Sequence, residues 1–239
     1  MQSYFLHYFF FMASIWFCLG HIACQPHSGT DLDLPKLKAN LERTRNRRDY
    51  DALHFLLVEH YIDLSTTDRK TLRQMLEKHA IWPNATLCPK SESGTEISIQ
   101  GRVVDDKGKP ISGAKLHIFH TDHQGFYAPT DAKTGHMAEH DPRLEGFLIT
   151  DEQGNYKINT IRPTSYPKKY NGRLIPQHIH IVASAPGVQL YSIQVVFEDD
   201  PVMDAYWLDW AKRSHYPVVK LLTSKSGIQG ELNIQLIKD

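Results

Sequence analysis

Gly101-Arg102-Val103-Val104, the turn Asp105-Asp106-Lys107-Gly108-Lys109-Pro110, and Ala114-Lys115-Leu116-His117-Ile118-Phe119-His120 together decide the fold. Both flanks alternate apolar and polar residues, the period of a strand with one buried face, and the Gly- and Pro-containing turn reverses the chain between them. A second instance follows at Phe147-Leu148-Ile149-Thr150, Asp151-Glu152-Gln153-Gly154-Asn155 and Tyr156-Lys157-Ile158-Asn159. Two such hairpins predict antiparallel sheets. Upstream, Ile97 and Ile99 extend the first strand; downstream, His178–Ala183, Gln189–Phe197 and Leu232–Ile237 read as further strands. Short strands joined by turns, with no helical period between them, predict a mostly β chain with an antiparallel β-sandwich core.

The N-terminal part differs. From Pro35 to about Ile81 the apolar residues recur every three and four, as in Leu53, Leu56, Leu57 and Tyr61, then Leu72, Met75, Leu76 and His79. This is a short α-helical segment, with Thr66 or Thr67 followed by Asp68 as the expected cap and Trp82-Pro83-Asn84 as the stop. Before it, residues 1–24 contain no Lys, Arg, Asp or Glu and are apolar from Phe5 to Leu19, which reads as a secretory signal peptide. The expected division is therefore a leader at 1–24, a helical segment at 25–85 and a β-sandwich domain at 86–239, in an exported chain.

Composition excludes several classes. The 239 residues are 41% hydrophobic and 23% charged, with Lys+Arg and Asp+Glu both at 27, so bulk charge supports neither a nucleic-acid nor a membrane partner. Arg43, Arg45, Arg47 and Arg48 are flanked by Glu42, Asp49 and Asp51, the pattern of a solvated helix face. Loss of the leader removes Cys18 and Cys24 and leaves Cys88 alone, read as a small buried hydrophobe beside Leu87 and Pro89. Asn84-Ala85-Thr86 has the pattern of an N-glycosylation acceptor, as expected of an exported chain.

His178-Ile179-His180 carries the chemistry. On a strand these two imidazoles share a face, with β-carbons roughly 6–7 Å apart, and can converge on one metal ion. No Cys is available for a structural zinc centre, and no Asp or Glu lies within ten residues upstream. Tyr127, Tyr166 and Tyr170 are the remaining candidates. A phenol has a pKa near 10 and becomes a good ligand only for a hard, highly charged cation, with ferric iron the natural choice. Two phenolates, two neutral imidazoles and a hydroxide balance the charge of Fe(III), the arrangement easiest to bury. A catechol dianion replacing one phenolate and the hydroxide preserves that balance.

Several pieces then occur in a telling order: Gly101-Arg102-Val103-Val104-Asp105, Pro110-Ile111-Ser112-Gly113-Ala114, His120-Thr121-Asp122 with Gly125-Phe126-Tyr127, Thr150-Asp151 with Gly154 and Tyr156, Thr160-Ile161-Arg162-Pro163 with Tyr166, and Pro176 with His178-Ile179-His180. From about Thr95 to Pro201 the chain resembles the intradiol ring-cleavage dioxygenases, the family of catechol and protocatechuate dioxygenases. The resemblance implies a β-sandwich with non-haem Fe(III) held by Tyr127, Tyr166, His178 and His180. It also implies that Tyr166 leaves on substrate binding, and it sets Tyr170 aside. The family's usual Arg, three residues before the first ligand His, is Ile175 here; Arg173, on the same face of an extended segment, is the candidate replacement, with a merely solvated side chain as the equal alternative. Gln194 matches a polar pocket position. His120 matches a recurrent non-ligand His of packing or supporting role, while His117, His123, His136, His140, Tyr156, Trp207 and Trp210 are not assigned to catalysis.

The expected function is cleavage of a catecholic small molecule by O2 to a muconate-type dicarboxylic acid, in a monomer rather than a homodimer. The main alternative is a non-catalytic sandwich of the transthyretin-like or carboxypeptidase-regulatory kind, which shares the strand, Asp-x-x-Gly-x-Pro, strand pattern. A zinc hydrolase using His178 and His180 is the third reading, and it lacks an acidic ligand.

Overall fold

A computed structural model describes residues 34–134 and 139–237. The leader assigned to residues 1–24 and the loop residue His136 lie outside the described residues. Three helices come first: α1 (Leu34–Thr44), α2 (Arg47–Glu59) and α3 (Thr66–His79). Strands follow as β1 (Asn84–Thr86), β2 (Glu96–Asp105) and β3 (Lys115–His120), then the one-turn helix α4 (Asp131–Thr134). Next come β4 (Leu144–Ile149), β5 (Asn155–Ile161), the small hairpin β6 (Lys169–Tyr170) and β7 (Arg173–Leu174), then β8 (His178–Ser184) and β9 (Tyr191–Phe197). Helix α5 (Ala205–Arg213) precedes β10 (Val218–Val219), β11 (Leu221–Ser224), β12 (Gly227–Glu231) and β13 (Ile234–Leu236).

The strands form two main sheets. One has the order β1-β5-β2-β12-β11, with β13 also paired to β2; the other runs β10-β9-β8-β3-β4. The central pairs β2 with β5, β3 with β4, β3 with β8, and β8 with β9 are antiparallel, but neither expected hairpin forms: β2 and β3 lie in different sheets, as do β4 and β5, so each Gly-containing turn carries the chain from one sheet to the other. The sheets are nonetheless mixed, because β1, β10, β12 and β13 each join a neighbour in parallel. These short strands are added by long returns of the chain, for which no local turn signal exists.

Between the sheets lies one apolar core, with Ile97, Ile99 and Val103 of β2, Leu116 and Ile118 of β3, Ile158 of β5, Ile179 and Ile181 of β8, and Ile193, Val195 and Phe197 of β9. Each fully buried aliphatic side chain contributes about 1.5–3 kcal/mol relative to exposure. The alternation that places these residues inward turns Phe119, His178, His180 and Gln194 outward, onto the far face of the second sheet.

The helices dock on that second sheet. Ser65, rather than Thr66 or Thr67, caps α3 by accepting a hydrogen bond from the Asp68 amide at 3.0 Å. The Tyr50 hydroxyl reaches the Phe147 carbonyl at 3.4 Å, and His54 Nε2 donates to the Glu145 carbonyl at 2.7 Å. Arg69 and Arg73 of α3 both pair with Asp141, at 2.8 and 2.9 Å, and Arg73 also meets Glu145. Every charge in this cluster has an opposite partner, which offsets the cost of removing it from water. Cys88 is free and buried, and burial pushes its thiol up to about 11.

Candidate metal centre

Three chain segments build the site. Strand β8 contributes His178 and His180, the loop after β3 contributes Tyr127, and the segment after β5 contributes Tyr166. The two tyrosine segments are laced together: Thr121 Oγ1 donates to the Thr164 carbonyl at 2.7 Å, and Thr164 Oγ1 donates to the His123 carbonyl at 2.9 Å. Gly125 occupies the crossing. With φ at +88° it is in the left-handed region, and a Cβ there would lie 2.3 Å from the Ser165 carbonyl oxygen. Only glycine lets the backbone carrying Tyr127 come this close to the backbone carrying Tyr166.

The four side chains are all buried and close a ring. Ring centroids are 5.5 Å apart for Tyr127 and Tyr166, 5.0 Å for Tyr166 and His178, 4.9 Å for His178 and His180, and 5.8 Å for His180 and Tyr127. The hydroxyls of Tyr127 and Tyr166 touch. Tyr127 lies 2.7 Å from His180 Nε2, and Tyr166 lies 2.9 Å from His178 Nε2. Nδ1 of His178 donates to the Pro176 carbonyl at 2.7 Å, a pure acceptor, so the lone pair is on Nε2 and points at the phenols. Glu139 Oε1 approaches the Tyr166 hydroxyl from outside at 3.3 Å.

Electrostatics makes this cluster neutral when bare. Burial lowers His180 to about 3, with His178 adding to the effect, and burial also lowers His178. Burial raises both Tyr127 and Tyr166 above the ordinary phenol value. Two neutral imidazoles and two phenols are therefore the resting forms, and a phenolate here needs a hard cation to replace its proton. Among the described residues no group of three or more His, Cys, Asp or Glu is placed to hold a metal. Four convergent donor atoms, no carboxylate among the four, and an Nε2 lone pair on His178 fit a trivalent hard cation.

Gln194 is the direct cross-strand partner of His180 and stands beside it. Arg173 is placed differently: it pairs with Asp204 at 2.7 Å, lies 4.6 Å over the Tyr206 ring, and is about half exposed. Its contacts in the structure are with α5 and the residue capping it, rather than with the four donors. Tyr170 is exposed, whereas His120 is buried at the inner end of β3, with Nε2 2.6 Å from Thr160 Oγ1. His117 faces outward, opposite to His120, and its Nε2 contacts Glu145 Oε2 at 2.9 Å. The roles of two contributors are not legible in the sequence. Phe119 shares the outward face with His117, and its alternation with Leu116 and Ile118 was the available signal. Gly125 carries no local mark of the clash it avoids.

A family model described as Dioxygenase matches residues 83–227, and the chain belongs to this family, that of the intradiol ring-cleavage dioxygenases. Among curated relatives, catechol 1,2-dioxygenase of Candida albicans is 31% identical over 138 residues, covering 51% of this chain and 43% of that protein. Hydroxyquinol 1,2-dioxygenase of a Rhizobium species is 28% identical over 120 residues, covering 45% and 39%. These matches thus span less than half the length of the relatives. Catechol 1,2-dioxygenase from Pseudomonas arvilla shares the fold, with a TM-score of 0.53, 21% identity, and coverage of 85% of this chain and 76% of that one. The matches do not favour the non-catalytic binding-module alternative.

Proposed function

We propose that this chain is a non-haem Fe(III) dioxygenase that cleaves a catecholic ring between its two hydroxylated carbons. Both atoms of O2 enter the product, a muconate-type dicarboxylic acid. The observation that carries this reading is the convergence of Tyr127, Tyr166, His178 and His180 in one buried ring, in a chain of the intradiol family. Iron, when bound, supplies a hard Lewis acid that favours the doubly ionised form of two adjacent ring hydroxyls.

The chain's own residues supply orientation and proton management. His178 and His180 offer Nε2 lone pairs without adding charge, and the Pro176 carbonyl fixes the first of them. Tyr127 is the enclosed phenol, whereas Tyr166 borders Glu139 and is the one that exchanges with substrate. Held by iron as its phenolate, Tyr166 would take one proton of an incoming catechol as it leaves, a bound hydroxide would take the other, and burial favours the neutral phenol that results. The protonated Tyr166 then donates to Glu139 Oε1. Gln194, beside His180, is placed to orient the substrate. We also read the chain as exported through residues 1–24 and as acting as a monomer.

Oxygen uptake by the iron-loaded chain against catechol, hydroxyquinol and protocatechuate tests the reading, with the product identified for each. One O2 consumed per ring and a dicarboxylic acid product are expected. A semialdehyde from cleavage outside the diol, or no uptake by iron-replete protein, overturns it.

A further inference from the structure

The two imidazoles are oriented by different means. His178 is fixed from behind by its hydrogen bond to the Pro176 carbonyl. His180 lies flat against Phe119, with ring centroids 4.5 Å apart and planes 2° from parallel. Strand register produces this pair: Phe119 of β3 is the direct cross-strand partner of His180 of β8, so the two side chains stand together on the outer face. The Phe119 ring also meets Tyr127, with centroids 6.1 Å apart and planes at 55°. One apolar side chain thus contacts two of the four donors.

Phe119 is itself supported. His117 packs on it with centroids 5.1 Å apart, and His117 stacks on Phe147 at 4.5 Å and 13°. Glu145 holds the His117 ring at 2.9 Å and is held in turn by Arg73 of α3. Phe119 is the inner end of a packed series that begins on a helix and stops at His180. The χ2 torsion of histidine is broad, without the three sharp wells of an aliphatic torsion, so a ring needs a neighbour to fix its plane.

We propose that Phe119 is a positioning residue whose flat face sets the rotation of the His180 imidazole and so aims Nε2 at the shared centre. Its consequence for a bound metal rests on the reading of the four side chains as the iron set; the placement of the ring does not. Leucine fills much of the same volume but offers no plane, whereas tryptophan restores one.

The test uses the full chain with Phe119→Leu and Phe119→Trp, in two arms. In the metal-free protein, the His180 ring protons lie over the Phe119 face, and their NMR signals are expected upfield of those of His178. They should move back toward ordinary shifts in the Leu variant. In the iron-loaded protein, Phe119→Leu is expected to lose iron to a chelator about 10–100-fold faster and to shift the phenolate-to-iron absorption band, with Trp restoring both. Absence of the upfield shift in wild type overturns the proposal without any variant having to fold. So does a Leu variant whose chelator rate and absorption band equal those of wild type. A wild-type chain that takes up no iron overturns the functional reading instead, and the metal-free shifts then decide the role of Phe119 by themselves.

Discussion

Gly125 and Ser165 are in backbone contact at the crossing between the two tyrosine-bearing segments, with no room for a side chain: a Cβ on Gly125 would sit 2.3 Å from the Ser165 carbonyl oxygen. Gly125→Ala therefore forces the segments apart and also strains a residue whose φ is +88°. The expected cost is about 1–3 kcal/mol of stability from the backbone alone. Urea denaturation measures that cost, and iron per chain measures the separation of Tyr127 from Tyr166. Wild-type stability with full iron content would show that the crossing relaxes freely.

Tyr127 and Tyr166 differ in their surroundings, and the difference is measurable. Tyr166→Phe removes the oxygen that takes the substrate proton, and turnover should fall on the order of 100-fold while some iron stays bound. Tyr127→Phe removes the enclosed phenol and should cost more iron. The phenolate-to-iron absorption, which gives the loaded protein a wine colour, should weaken in both. Unchanged turnover in Tyr166→Phe rules out the assigned exchange.

Arg173 is engaged with Asp204 and Tyr206 in a setting about half open to water. Exposed pairs of this kind contribute about 0–1 kcal/mol. Arg173→Ala should therefore lower stability by less than about 1 kcal/mol, and its turnover should stay close to wild type. A kcat reduced as far as in Tyr166→Phe would instead place the guanidinium in the reaction.

The helix-to-sheet tether predicts an acid limit. Burial alone would raise Asp141, but hydrogen bonds from Arg69 and Arg73 outweigh it and hold the carboxyl below its ordinary value. A carboxyl depressed in the folded state stabilises above its unfolded pKa of about 3.9 and loses that contribution as pH falls through the folded value. Urea midpoints should therefore decline from pH 5 down through and below about pH 4. Asp141→Asn should be less stable at pH 6 and show a shallower decline; equal slopes would remove Asp141 as a source of the acid sensitivity.

Cys88 should be silent in the native chain. Its thiol is buried and pushed up to about 11, so a disulfide reagent at pH 8 meets little thiolate. Full reaction is expected only after unfolding. Rapid labelling without denaturant would mean that this part of the structure opens easily.

The local features were the readable ones. The strands and the two turns rich in Asp and Gly are legible, but the partners are not: each turn crosses between the sheets, so β2 pairs with β5 and β3 with β4 rather than β2 with β3 and β4 with β5. His178 and His180 are legible because a period of two needs no knowledge of the partner strand. The unread features depend on distant chain. Gly227–Glu231 contains two glycines and little alternation, so its parallel seat on β2 had no local mark. Ser65 caps α3, but Thr66 and Thr67 beside it carry the same hydroxyl, so the sequence does not distinguish among the three. The ion pair between Arg173 and Asp204 joins residues 31 apart, and no local pattern could announce it. Phe119 looked like any outward aromatic until register set it against His180.

Strand β8 presents Ile179 and Ile181 to the interior and His178 and His180 to the opposite side. A slip of one position against β3 would exchange the two sets, sending imidazoles into hydrocarbon and isoleucines to the donor ring. Correct pairing and assembly of the four-donor ring are therefore one event for this strand, and a mispaired chain loses its core together with the ring.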